Sequence, residues 1–378
     1  MSRRRLVYGV LGAQIAVVVG FALTYNALDF FIYTLGGRAV GHDARLYLDQ
    51  MAAHWFTYPP FAAVVFSPLG GVPLVVARVL WELASVAAFA WCCRLVLRLA
   101  GYRAALLPGV VVAGLFLEPV WHSLFLGQIN LVLGALVLTD VWRLSRGRPA
   151  GIGIGLAAAI KLTPAIFIVV LLLAGRVRAA ATATGTFLLC GLLGWLAAPV
   201  ASRLYWTQLW HDTTRVHAGY LSNQSPFGAA ARILHGPAHV GAWYVLVPVT
   251  VGVLGLAVAA GWARRGDWLN ATAATGVTAL LVSPISWSHH WVWALPVLVV
   301  FARDGRRSYA LGGFALFVLA PMWWTPSHGE PAEYGFHGLT TLAANAYLLA
   351  GLVFLGYLTS RLAAARQGRG IDMEVAQR

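Results

Sequence analysis

Charge is scarce in this sequence. Only 11% of its 378 residues are charged, where a soluble domain carries about 25%. Acids are scarcest, with 13 Asp and Glu against 27 Lys and Arg. That poverty excludes an ordinary soluble enzyme and leaves few carboxylates for chemistry. Cysteine is almost absent. Cys92, Cys93 and Cys190 all lie in apolar stretches, which excludes a disulfide framework and any cysteine metal site. No Walker loop and no Gly-x-Gly-x-x-Gly loop is present, so nothing points to a bound nucleotide. Gly151-Ile152-Gly153-Ile154-Gly155 lies in an apolar run and reads as close helix packing. No stretch of mixed polarity is long enough for a separate soluble domain.

Apolar residues fill the space. The chain is 60% hydrophobic with a mean hydropathy of +0.73, and it holds 16 Trp and 40 Gly. Both types are frequent in polytopic membrane proteins. A membrane-spanning helix needs about 20 apolar residues. The runs predict an all-α protein of about 12 spans, at 6–24, 60–93, 104–118, 129–143, 150–160, 163–174, 179–198, 241–263, 268–282, 291–302, 308–324 and 338–361. The stretch 60–93 is too long for one helix and is expected to break near Pro68 to Pro73. Met1–Arg5 followed by an apolar run reads as an uncleaved first span, since no small-x-small cleavage signal precedes a soluble domain.

The net charge of +14 does not point to nucleic acid, because the basic residues cluster between apolar runs. With Arg3–Arg5 inside and sides alternating, the inner segments hold 20 of the 27 basic residues. That bias predicts a multi-pass plasma-membrane protein with both termini cytoplasmic. Residues 363–378 are expected to be a disordered basic tail. Most His, Asn, Gln and acidic residues then fall on the outer side, in Tyr25–Pro59, Glu118–Gln128, the Lys161 turn, Pro199–Val240, Ser283–His290 and Thr325–His337. Polar chemistry is gathered on the extracytoplasmic face.

Six constellations there can carry chemistry. Asp29 stands among Leu28, Phe30, Phe31, Ile32 and Tyr33. Such flanks desolvate a carboxylate and raise its basicity, as a general base requires; a solvated loop acid is the plainer alternative. Thr57-Tyr58-Pro59-Pro60-Phe61 offers a rigid rim with an aromatic for sugar stacking, or merely a helix start. Glu118-Pro119-Val120-Trp121-His122 precedes Gly127-Gln128-Ile129-Asn130, whose amides suit sugar hydroxyls or helix–helix hydrogen bonds equally. Lys161 interrupts an apolar run of 24 residues. An anion is its natural partner, and a lipid phosphate fits; snorkelling to the interface is the alternative. Ser222-Asn223-Gln224-Ser225-Pro226 lies in the long outer loop. Ser283-Pro284-Ile285-Ser286-Trp287-Ser288-His289-His290 ends the set. The two histidines lack a third ligand nearby, so no metal is predicted. Donation to phosphate, with tryptophans as anchors or sugar platforms, is the better reading.

Taken together and in order, Asp29-x-x-x-Tyr33, Phe56–Phe66, Gly127–Asn130, Lys161–Ala165, Asn223–Ser225 and Ser283–Trp293 resemble glycosyltransferase family 87. The resemblance implies a GT-C fold over residues 1–362 and a site on the extracytoplasmic face. It implies inverting transfer of mannose from polyprenyl-phosphate-mannose to a glycolipid acceptor of the phosphatidylinositol mannoside type. The roles it implies are a catalytic base at Asp29, and phosphate contacts at Lys161, His289 and His290, the two histidines not being distinguished. Sugar or acceptor contacts fall to Tyr33, Tyr58, Gln128, Asn130, Asn223, Gln224 and Trp287. Phe31 stands where the resemblance expects a histidine, a departure that bears on acceptor choice. Two other readings share these residues: an arabinofuranosyltransferase using decaprenyl-phosphate arabinose, and a non-enzymatic polyprenyl-lipid transporter. Neither a cofactor nor a metal is expected; the partners expected are the lipid-linked donor, the glycolipid acceptor and membrane lipids.

Overall fold

A computed structural model describes residues 3–42, 45–326, 329 and 331–376. The described residues form helices and turns, with no strand beyond two isolated bridges, Met51–His54 and Asn223–Trp287. Sequences this apolar favour helices because a helix satisfies its own backbone groups where no water can.

Five helices are long and apolar enough to cross a bilayer among the described residues: Arg4–Thr24, Leu74–Leu99, Val177–Ala197, Ala242–Arg264 and Ala346–Ala365. The pair Ala104–Gly114 and Glu118–Leu126, bent by 68°, makes a sixth if counted as one span. The expectation of about 12 is therefore not met. Each apolar run was equated with a span, whereas Pro60–Gly71, Thr163–Leu173, Trp268–Val282 and Arg307–Leu319 have only 10–17 residues. The predicted break near Pro68 to Pro73 is present. A helix Pro60–Phe66 passes into a 3-10 turn, Ser67–Gly71, before Leu74 begins the long helix.

The segments read as outer loops contain helices, two of which position the site. Leu28–Arg38 is an α-helix, packed on Pro60–Phe66 and the turn after it. Glu118–Leu126 is another, packed on the turn Ser288–Trp293. Asp43 lies outside the described residues.

Small residues let the centre pack tightly. Helix Ile152–Ile160 lies between Asn130–Ser145 and Val177–Ala197, and a side chain at Gly153 or Gly155 would strike their backbones. The buried Asp140 carboxylate accepts the Ile154 N–H at 2.8 Å and so caps that helix. The three cysteines are buried free thiols.

One ion pair lies inside a span. Arg78 pairs with Glu82 one turn later on helix Leu74–Leu99, and both are buried. Arg78 also donates to the Leu124 carbonyl at 3.0 Å and lies 5.5 Å from the Phe30 ring. It thus braces the end of helix Glu118–Leu126 against the helix that carries Asp29.

Candidate active site

Asp29 sits in the first turn of helix Leu28–Arg38, where the positive end of the helix dipole favours an acid. Tyr33 follows one turn later. Its hydroxyl lies 2.8 Å from that of Tyr58 and donates to Gln128 Oε1 at 2.9 Å. Tyr58 donates to the same oxygen at 3.1 Å. With Oε1 so occupied, the Gln128 amide nitrogen is left to donate to the Asp29 carboxylate. Gly127 makes this delivery possible. It closes helix Glu118–Leu126 in the left-handed region at φ 70°, and a side chain there would meet Arg78 and Phe30.

Lys161, the only lysine in the chain, ends helix Ile152–Ile160 with extended backbone before the Thr163–Ala165 turn. Its Nζ donates to Asn130 Oδ1 at 3.0 Å and lies 3.0 Å from His290 Nε2. The His290 ring also bonds the Ile285 carbonyl, so Nδ1 carries the proton and Nε2 accepts from the ammonium. Asn130 Nδ2 donates to the His289 carbonyl at 2.9 Å. Lys161 Nζ is 5.5 Å from the Tyr58 ring centre, which joins this cluster to the Asp29 group. Lys161, Asn130 and His290 line a crevice together with Thr163, Ser286 and the apolar Leu133, Phe167, Leu280, Val292 and Trp293.

None of these charged groups lies in one of the five spanning helices. Asp29 keeps partial exposure, yet the protein around its carboxyl is dense. Burial pushes it above the usual carboxylate range, while the Gln128 hydrogen bond and the Lys161 charge pull it down. Burial lowers Lys161 to about 8, with Asp29 opposing. Burial and then the Lys161 charge hold His290 well below the ordinary imidazole range. His289 is lowered too, by burial and then by His290 and His122. Burial thus favours neutral imidazoles at His289 and His290, and works against charge on both Asp29 and Lys161, which support each other's charged form.

The structure separates the remaining predicted residues. His289 is buried, its ring nitrogens make no hydrogen bond among the described residues, and its ring stands edge-on to His290 and His122. Asn223 is fully buried; it donates to the Ala218 and Pro284 carbonyls and accepts the Ser286 and Ser225 N–H groups. Gln224 donates to Leu221 and Ala344 and accepts the Tyr347 N–H. Asn223 staples the long loop to the Ser283–His290 turn, Gln224 staples it to Ala344 and Tyr347, and both are left little capacity for a sugar. Trp287 is half-buried, 6.2 Å from Tyr220, which is 6.3 Å from Trp323.

The sequence singles out the Glu118–His122 stretch without a role for either residue, and Trp323 is not singled out at all. The fully buried Glu118 lies 2.7 Å from His122 Nδ1 and accepts the Trp323 indole N–H at 3.0 Å. A Glu and a His four residues apart behind a proline was the available signal, since that spacing puts both on one helix face. Among the described residues, no three His, Cys, Asp or Glu side chains are grouped to hold a metal.

Residues 56–284 match the profile of glycosyltransferase family 87. A polyprenol-phosphate-mannose-dependent alpha-(1-2)-phosphatidylinositol mannoside mannosyltransferase of Mycobacterium tuberculosis is 34% identical over 405 residues, covering 96% of this chain and 94% of the relative. A polyprenol-phosphate-mannose-dependent alpha-(1-2)-phosphatidylinositol pentamannoside mannosyltransferase of Mycolicibacterium smegmatis is 32% identical over 387 residues, covering 94% and 91%. No solved structure matches. With the profile spanning more than half the chain and these relatives spanning nearly all of it, the protein is a glycosyltransferase and belongs to family 87.

Proposed function

We propose that the chain moves mannose from a polyprenyl-phosphate carrier to a glycolipid of the phosphatidylinositol mannoside type, with inversion, on the extracytoplasmic face of the plasma membrane. The observation that carries this reading is the Lys161–Asn130–His290 cluster in a crevice lined mostly by apolar side chains. A cation with hydrogen-bonding neighbours beside an apolar wall suits a phosphate joined to a prenyl chain. The names of the mycobacterial relatives agree in donor and acceptor. The GT-C architecture and the single domain over residues 1–362 belong to this proposal.

The chemistry follows from the two poles. Asp29 takes the proton from the acceptor hydroxyl as that oxygen bonds to the anomeric carbon. The bond from that carbon to the phosphate oxygen breaks, and the electron pair leaves with the phosphate. Lys161 stabilises the growing charge, with His290 and Asn130 orienting its ammonium. Tyr33, Tyr58 and Gln128 hold Asp29 and wall the sugar, and Trp287 lies at the rim.

The test is mannose transfer by purified Asp29→Asn beside wild type, with donor binding measured in parallel. Losing a general base costs about 10²–10⁴ in rate, while donor binding persists. Near-normal turnover removes Asp29 from the mechanism. For the side of the membrane, His42→Cys adds a thiol to a chain whose own three are buried. It should be labelled from outside intact cells; labelling only after permeabilisation reverses the topology.

A further inference from the structure

Glu118 is saturated. Its Oε1 lies 2.7 Å from His122 Nδ1, and accepts the Ser288 hydroxyl at 2.7 Å and the Trp323 indole N–H at 3.0 Å. Its Oε2 accepts the Tyr347 hydroxyl at 3.0 Å. The donors come from four separate segments, and the carboxylate is fully buried. A carboxylate with all these donors and no exposure has no room for a ligand or for the acceptor's proton. What it does is fix a ring. With Nδ1–H given to Glu118, His122 has Nε2 left over, and that nitrogen makes no hydrogen bond among the described residues.

Where that nitrogen lies matters. The His122 side chain keeps 14% of its surface, unlike its carboxylate partner. His122 is near enough to act electrostatically on Asp29, and its ring centre is 5.2 Å from that of His289. It therefore lies near the carboxylate pole and against His289, next in sequence to the Lys161–His290 pole. If the sugar reacts between those poles, His122 flanks it.

We propose that His122 Nε2 holds one hydroxyl of the transferred sugar, and that Glu118 is the positioning residue that aims it. This rests on the glycosyl-transfer reading above. A single fixed nitrogen beside the ring lets the enzyme recognise one hydroxyl of the hexose, a task that neither the phosphate cluster nor the general base performs. The Ser222 and Ser288 hydroxyls, 3.1 Å apart, tie the same network to the histidine turn. A shift of Glu118 thus moves the sugar contact and the phosphate contacts together.

The experiment pairs enzyme variants with polyprenyl-phosphate mannoses that each lack one hydroxyl. Wild type is assayed first with the complete donor; no transfer at all overturns the underlying reading and this proposal with it. Wild type should lose roughly tenfold in kcat/KM with one deoxy donor in particular, the order expected for one hydrogen bond. His122→Asn keeps a donor near Nδ1 for Glu118 but removes Nε2, so it should fold. With it, that one deoxy donor should carry almost no further penalty, while the other deoxy donors keep theirs. His122→Gln, whose side-chain oxygen restores an acceptor near Nε2, should recover part of the discrimination. If His122→Asn retains every deoxy penalty, or if the coupling is found with deoxy acceptors instead, His122 does not hold the donor sugar.

Discussion

Lys161 and His290, 129 residues apart in sequence, bring Nζ and Nε2 to 3.0 Å, and the imidazole is the acceptor. An ammonium that donates to a neutral ring keeps its charge available. It can redirect another of its hydrogens to a phosphate oxygen without losing its place.

Lys161→Ala should therefore act on the donor. Losing a charge-assisted hydrogen bond costs about 1.5–3 kcal/mol, on the order of ten- to a hundredfold in apparent KM for the polyprenyl phosphate. Steady-state kinetics at varied donor concentration, with acceptor saturating, measure it. Unchanged donor kinetics would mean that the lysine only anchors its turn.

The pH profile should have two limbs. Asp29 works ionised, and burial lifts its carboxyl above the usual range, so transfer falls as pH drops through that raised value. Lys161 works protonated and sits at about 8, so kcat/KM falls as pH rises through that region. Lys161→Arg keeps its charge over the whole range and should remove the alkaline limb while keeping the acid one. An alkaline limb that persists in Lys161→Arg assigns it to another group.

Gln128→Leu separates two jobs of one amide. Two buried tyrosine hydroxyls lose their shared acceptor, and an unsatisfied buried group costs about 1–3 kcal/mol, visible as a lower melting temperature. The Gln128 hydrogen bond also holds the Asp29 carboxyl down. Its loss should raise that pKa and move the acid limb to higher pH. An acid limb that stays put while the protein melts earlier would confine Gln128 to structure.

The residues of this site differ in how far they could be read in advance. Apolar runs marked most helices, and Pro68 to Pro73 marked the break between Phe66 and Leu74. Asp29 and Lys161 stood out because charge is costly beside apolar flanks, and His289 and His290 stood out together without being told apart. Helix Leu28–Arg38 was hidden by its length of 11 residues, short of the run a span needs. The count of about 12 crossings is not confirmed, because hydropathy alone does not tell a short apolar helix from a span. Asn223 and Gln224 looked like ligand amides, yet their partners are mostly backbone groups as far as 123 residues away. No local pattern encodes a partner of that kind. Glu118 was left without a role for the same reason: three of its four donors come from beyond residue 287.

The Arg78–Glu82 pair has a consequence for how the chain enters the bilayer. A lone arginine deep in a span is costly to insert. Here the counter-ion is one helical turn away on the same segment, so the two charges can cancel while that helix is still alone in lipid. The Leu124 carbonyl and the Phe30 ring reach Arg78 from other segments, and can do so only after the helices assemble. Insertion and assembly thus use different partners of one guanidinium: Glu82 carries it in, and the neighbouring helices then employ it to lock the wall behind Asp29.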